Sequence, residues 1–330
     1  MSKYKKNFIA IILSLTLVGV LIYLGQKNKL NSSLPIVAIA NWGPHSSLEE
    51  SLKGIKAELN RQGFIEGKTV QLQIADVSFD TALIPQMVTQ LKNLHPDVII
   101  AVGTPISQFV KNTIKDIPLV FSVITDPVAA GLLQEEDKPS ANMTGTSDKQ
   151  DLESLLAFAK KLLPNATRIG ILYATSEAND IALVKMLNDA AAKSKMTVLA
   201  LPINQARDVP MQMHFFKDQV DFIYVGASGP IQPTLPAIIA EADKMNIPIF
   251  NVNEDAVEKH QVLASFGVDY NKIGMNTGKL ISQILRGKTI SDLPPIYPNP
   301  EDHQGFISSK KAKALNIKTP SNLTNTTIIQ

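Results

Sequence analysis

The residue types that usually carry chemistry are present in this chain, but not at spacings that would let them work together. Its five histidines, His45, His95, His214, His260 and His303, are dispersed, and none has a second histidine at the helical spacing that holds zinc. Gly226-Ala-Ser228-Gly-Pro230 sets a serine beside glycines, yet Pro230 stands where a nucleophile elbow needs its closing glycine. There is no Gly-x-Gly-x-x-Gly fingerprint and no full phosphate-loop motif. Cysteine is absent, which removes thiolate nucleophiles, disulfides, Cys-ligated zinc and a lipidated N-terminal cysteine. The expectation is a protein that binds without catalysis and uses no cofactor. Two side chains suit that work: Trp42, the sole tryptophan, could stack on a planar ring, and Asp126 could meet a cation or close a local turn with Pro127. His45 reads as a solvated loop residue.

These residues sit in loops of an alternating pattern. Short β-branched runs at 36–40, 70–74, 98–102 and 118–124 are separated by amphipathic stretches, among them a helix whose face is Leu48, Leu52, Ile55 and Leu59, entered through Ser47 and Glu50 as a capping box. After 142–147 and a helix over 152–163 the alternation restarts, with strands at 168–173, 198–201 and 222–225. Strand and helix in alternation predict parallel sheets with crossover helices. The run from Asp97 through Gly103 to Pro105, a helix, then Ile117-Pro118 and a strand, has a counterpart from Asp221 through Gly226 to Pro230, a helix, then Ile247-Pro248 and a strand. Two copies of one unit imply an α/β fold of two Rossmann-like lobes. In such sheets ligands sit beyond the carboxyl ends of the strands. Here those ends lead into 41–47, 103–105, 122–127, 174–179, 226–230 and 251–255, loops rich in Ser, Thr, Asn, Gly and Pro that suit a small polar or anionic ligand.

Composition agrees with two cores. The chain has 330 residues, 45% apolar and 19% charged, and its 32 basic and 30 acidic side chains leave a net charge of +2. That balance offers no field for a phosphate backbone, so no nucleic-acid partner is expected. Lys3, Lys5 and Lys6 precede an apolar run from Phe8 to Gly25, the pattern of an export signal with the length of one membrane crossing. Residues 1–33 are therefore expected to be an N-terminal hydrophobic helix and linker, either retained as an anchor in the cytoplasmic membrane or removed as a signal, with the remainder on the periplasmic or cell-surface side.

Gly103-Thr104-Pro105, the run from Lys115 through Thr125-Asp126-Pro127 to Leu132, Asn142-Met-Thr-Gly-Thr-Ser147, Ser176-Glu177-Ala178-Asn179 and Phe266-Gly-Val-Asp-Tyr270 occur in an order that resembles the tryptophan/tyrosine-binding family of ABC transporter substrate-binding proteins. The likeness runs from Leu34 to Lys318. It implies the type I periplasmic-binding architecture with a three-crossing hinge, an ABC permease as partner, and discontinuous lobes: 34–145 plus 268–292, and 146–267 plus 293–330. Carried over by position, it nominates Trp42, Thr104, Ser122, Thr125 and Asp126 from one lobe and Ser176, Glu177, Asn179, Ser228 and Asn253 from the other as ligand-binding.

Ser228 and Asn253 stand where the family commonly has acids, and an α-ammonium usually needs a carboxylate. The expected ligand is thus small, planar or cyclic, a carboxylate or amino-acid-like molecule, and more readily one without a free α-amino group unless Glu177, Glu254 or Asp255 turns inward. A membrane-anchored sensor working through a partner protein is the alternative function, and an enzyme on this scaffold the least favoured.

Overall fold

The computed structural model describes residues 34–320 and 323–330. The predicted N-terminal membrane segment lies outside them, and among the described residues no helix is long and apolar enough to cross a membrane. Strands β1 (Ile36–Asn41), β2 (Gln71–Asp76), β3 (Val98–Val102), β4 (Leu119–Ile124) and β5 (Met143–Ser147) form a parallel sheet in the order β2-β1-β3-β4-β5. Strands β6 (Arg168–Ala174), β7 (Thr197–Ile203), β8 (Phe222–Val225), β9 (Ile249–Asn251), β10 (Ala264–Val268), β11 (His303–Ser308) and β12 (Thr326–Ile329) form a second sheet, β12-β11-β10-β9-β8-β6-β7, in which β10 and β11 are antiparallel. All residues of β3, β4 and β5 are buried, as expected of strands covered on both faces. In the second sheet Ile169, Ile171, Phe222 and Phe250 face one core and Leu172, Ile223, Val225 and Ile249 the other.

Ten helices are described: α1 (Ser46–Arg61), α2 (Ile84–Lys92), α3 (Thr104–Thr113), α4 (Leu152–Leu162), α5 (Ala178–Lys193), α6 (Val209–Met213), α7 (Leu235–Met245), α8 (Asp255–Glu258), α9 (Tyr270–Leu285) and α10 (Ser309–Ala314). The chain passes between the two sheets three times, after β5, after β10 and between α9 and β11. In the last passage Ile296 bridges to Thr146, its N–H donating to the Gly145 carbonyl and its own carbonyl accepting from the Ser147 N–H, both at 2.9 Å.

Helix α9 returns to the first sheet and lies against α1 and β4. A Cβ at Gly274 would stand 1.9 Å from the Ser51 carbonyl oxygen, so only glycine lets the two helix backbones approach this closely. Beneath that crossing, the hydroxyls of Ser51, Ser122, Thr146 and Thr277 satisfy one another in a buried cluster, with Ser122 Oγ 2.8 Å from Thr277 Oγ1 and 3.1 Å from Ser51 Oγ.

Candidate functional site

Between the sheets, at the carboxyl ends of β1, β3, β4 and β5 on one side and of β6 and β8 on the other, the chain encloses a small cavity. Its wall holds Trp42 and His45 before α1, Thr104 at the start of α3, Val123 and Thr125 at the end of β4, Asp148 just past β5, and Glu177, Asn179 and Gly229 from across the cleft. The space is about 20 Å³, room for one water molecule.

The two sides are latched. Trp42 Nε1–H donates to Glu177 Oε1 at 2.8 Å, and Ser47 Oγ donates to Asn253 Oδ1 at 2.6 Å. The Trp42 indole is buried edge-on against Phe79 at 5.8 Å, and the His45 ring stacks on the same phenylalanine at 5.9 Å. Behind Glu177, Asn179 Nδ2 donates to both Glu177 Oε2 and Asp180 Oδ1 at 3.0 Å. Asp180 Oδ2 accepts from the Ala174 N–H at 2.6 Å and from Ser228 Oγ at 2.7 Å.

Three side chains in the wall keep a buried polar atom without a partner: His45 Nδ1, Asp148 Oδ1 and Asn179 Oδ1. Native interiors leave few such atoms, and three around one cavity mark a surface shaped for something polar. Burial shapes the charges here. It lowers the His45 imidazole to about 4, keeping the ring neutral. Burial also raises Asp148 to about 6, against the opposing hydrogen bond from Tyr270 Oη at 3.2 Å. Glu177 is pushed up by burial, and Asp180 by burial and then by the charge of Glu177. Around one cavity the arrangement gathers carboxylates, an aromatic side chain and the N-terminus of α3, where backbone N–H groups and the Thr104 hydroxyl favour negative charge.

Five of the nominated residues, Trp42, Thr104, Thr125, Glu177 and Asn179, meet in this wall. Asn253 lies beside it, in the wider cleft next to Ser47, and Ser228 stands behind Asp180. Three others are placed elsewhere. Ser122 points to the opposite face of its sheet, into the hydroxyl cluster under α1 and α9. The reason is a bulge: β4 pairs Ser122 with Thr146 and then Ile124 with Ser147, so Val123 is the extra residue, and it faces the cavity. Asp126 spends Oδ1 on the N–H groups of Val128 and Ala129, the local turn, and Ser176 is exposed.

His45 is a half-buried wall residue whose Nδ1 is turned away from solvent. Asp148 is absent from the sequence reading, although it follows a strand end like the residues that were found. Of the acids that could replace those absent at Ser228 and Asn253, Glu177 turns into the wall and Glu254 and Asp255 line the wider cleft, while Asp148 adds a second buried carboxyl to the wall.

The family described as ABC transporter substrate binding protein matches residues 36–328. A tyrosine-binding protein of Clostridioides difficile (strain R20291) is 30% identical over 282 residues, covering 86% of this chain and 81% of that protein. The structure of an ABC domain in complex with L-Trp from Streptococcus pneumonia superimposes with a TM-score of 0.84 at 27% identity, over 90% of this chain and 100% of that one. The ligand-free, open structure of a substrate binding protein with adhesive properties from Clostridium difficile gives 0.69 at 28% identity, over 90% and 99%. With two α/β lobes around a polar cleft and a family match along nearly all of the described chain, the protein belongs to the ABC transporter substrate-binding proteins, a family of extracytoplasmic binding proteins rather than enzymes.

Proposed function

We propose that the cavity takes an aromatic amino acid, for delivery to an ABC permease. The observation that carries this reading is the pair of buried carboxylates, Asp148 with an unpartnered Oδ1 and Glu177, lining the same cavity as the start of α3. An α-ammonium fits the first two, an α-carboxylate the Thr104 N-terminus, and Trp42 with Leu48 and Ala227 offers apolar surface for a ring. The names of the relatives, a tyrosine-binding protein and a domain holding L-Trp, support the same ligand class.

A 20 Å³ space admits no aromatic ring, so the lobes must part to let one in, and the Glu177 carboxylate exchanges the Trp42 N–H for the ligand's ammonium while the indole stays in the wall of the reclosed cleft. The closer likeness to the L-Trp complex than to the open, ligand-free relative supports a closed arrangement here. In this reading the hinge is the three passages between the sheets, the lobes are 34–145 plus 268–292 and 146–267 plus 293–330, and residues 1–33 direct the chain to the outer side of the cytoplasmic membrane, retained there or cleaved. Family membership favours this over a sensor role.

Because Trp42 is the only tryptophan, its fluorescence reports the site alone. Titration with L-tyrosine, excited where tyrosine does not absorb, is expected to shift Trp42 emission with saturation. Calorimetry is expected to show Trp42→Ala binding weakened by about 1–3 kcal/mol, with the fold intact. No response to tyrosine, tryptophan or phenylalanine by either method would sink the reading.

A further inference from the structure

The bulge at the end of β4 contains the most strained residue of the cavity wall. Val123 has φ of 59°, the left-handed region, which a β-branched side chain rarely tolerates and where a bulge of this geometry normally carries glycine. Its neighbours hold it there. Ser122 Oγ is fixed by Thr277 and Ser51, and the Ile124 carbonyl accepts from Ser147 Oγ at 2.7 Å and the Asp148 N–H at 3.2 Å.

A glycine at this position would relieve the backbone and leave all of those bonds in place. What it would lose is the isopropyl group. That group is 6% exposed and stands in the cavity wall, where Trp42, Leu48, Pro105 and Ala227 are the other apolar side chains. Strain that persists where a cheaper residue would serve marks a side chain with a task.

We propose that Val123 is a specificity-determining residue, its branched side chain setting the depth of the apolar floor on which the ligand's ring rests. The assignment rests on the aromatic-amino-acid reading above. The bulge is the device that turns this residue, instead of Ser122, toward the ligand. Shortening the side chain deepens the floor and favours the larger indole. Lengthening it raises the floor and favours the smaller phenyl ring.

The test compares the full-length protein with Val123→Ala, Val123→Gly and Val123→Leu by calorimetry against L-phenylalanine, L-tyrosine and L-tryptophan, and by thermal melting without ligand. The ratio of tryptophan to phenylalanine affinity is expected to rise about tenfold in the Ala and Gly variants and to fall in the Leu variant, the scale of one methylene in a pocket. Val123→Gly is expected to melt at or above Val123→Ala, the reverse of the usual order in a strand, because only glycine is at ease at this φ. Equal changes for all three ligands would overturn the assignment while leaving the ligand class intact. A Gly variant that melts below the Ala variant would remove the strain on which it stands. Wild-type protein that binds none of the three would overturn both readings.

Discussion

Replacing Gly229 by alanine is expected to weaken binding of L-tyrosine or L-tryptophan by about 5- to 150-fold, without loss of the folded state. A Cβ at this position would stand 2.2 Å from Trp42 Nε1 and 2.8 Å from Glu177 Oε1, contacts that real Cβ atoms do not make. Glu177 lies on the same side of the cleft as Gly229 and its carboxylate end can shift, whereas Trp42 comes from the loop before α1 and Gly229 from the loop after β8, so the clash with Trp42 exists only when the lobes are together. Overpacking of this size costs about 1–3 kcal/mol, and an open protein escapes it by staying open. The Trp42 part of the penalty therefore falls on closure and is read as affinity. Calorimetry gives the affinity and small-angle scattering the shape: the variant should remain extended at ligand concentrations that compact the wild type. Unchanged affinity would mean that the bound form does not bring Trp42 to Gly229.

Asp148→Asn should move stability and binding in opposite directions. The folded carboxyl holds its proton up to about 6, the unfolded one only to 3.8, so the folded state binds more protons between those values. Stability therefore falls as pH rises through that window and stays lowered above it. By the size of the shift this costs about 3 kcal/mol at neutral pH. Asparagine does not titrate, so the ligand-free variant should melt above wild type at neutral pH, the gap closing as the pH falls toward 4.

His45 acts in the opposite sense over the same range. It is neutral in the fold down to about 4 while the unfolded ring protonates near 6.5, so acidification costs stability. Both proteins share that term and it cancels in the difference. Binding is expected to invert the ranking. A ligand ammonium beside Asp148 needs the ionised carboxylate, so wild-type affinity should rise with pH until about 6 and then level, while the variant binds at least about tenfold more weakly with no such slope. Deaminated aromatic acids are the control. If they and the amino acids lose affinity equally in the variant, Asp148 does not hold the ammonium.

The alternation of β-branched runs with amphipathic stretches was enough to place β1 to β4 and β6 to β8, most of which leave the apolar signature of buried parallel strands, whereas β5, Met143-Thr-Gly-Thr-Ser147, is too polar to show as one. Strands β11 and β12 went unread. His303-Gln-Gly-Phe-Ile-Ser308 is short and partly polar, and its pairing with β10 is set by tertiary context. Strand-end logic located the loops that hold Trp42, Thr104 and Glu177, and the family resemblance nominated those residues by position. It failed at Ser122 because a bulge shifts the facing residue by one, and no motif in Val-Phe-Ser-Val-Ile announces a valine in the left-handed region. It failed at Asp148 because the side chain that bonds its carboxyl, Tyr270, is 122 residues away in sequence.

The return of α9 to the first sheet also bears on the order in which the chain can fold. Strands β1 to β5 emerge early from the ribosome, yet the helix that covers α1 and β4 is residues 270–285, and the second sheet still lacks β11 and β12 at that point. Neither core can be completed by a nascent chain that ends before its final fifth, since the contacts that seal each one span long sequence separations and are slow to form. For a family whose members work outside the cytoplasm, late sealing of both cores suits a chain that has to reach the membrane before it folds.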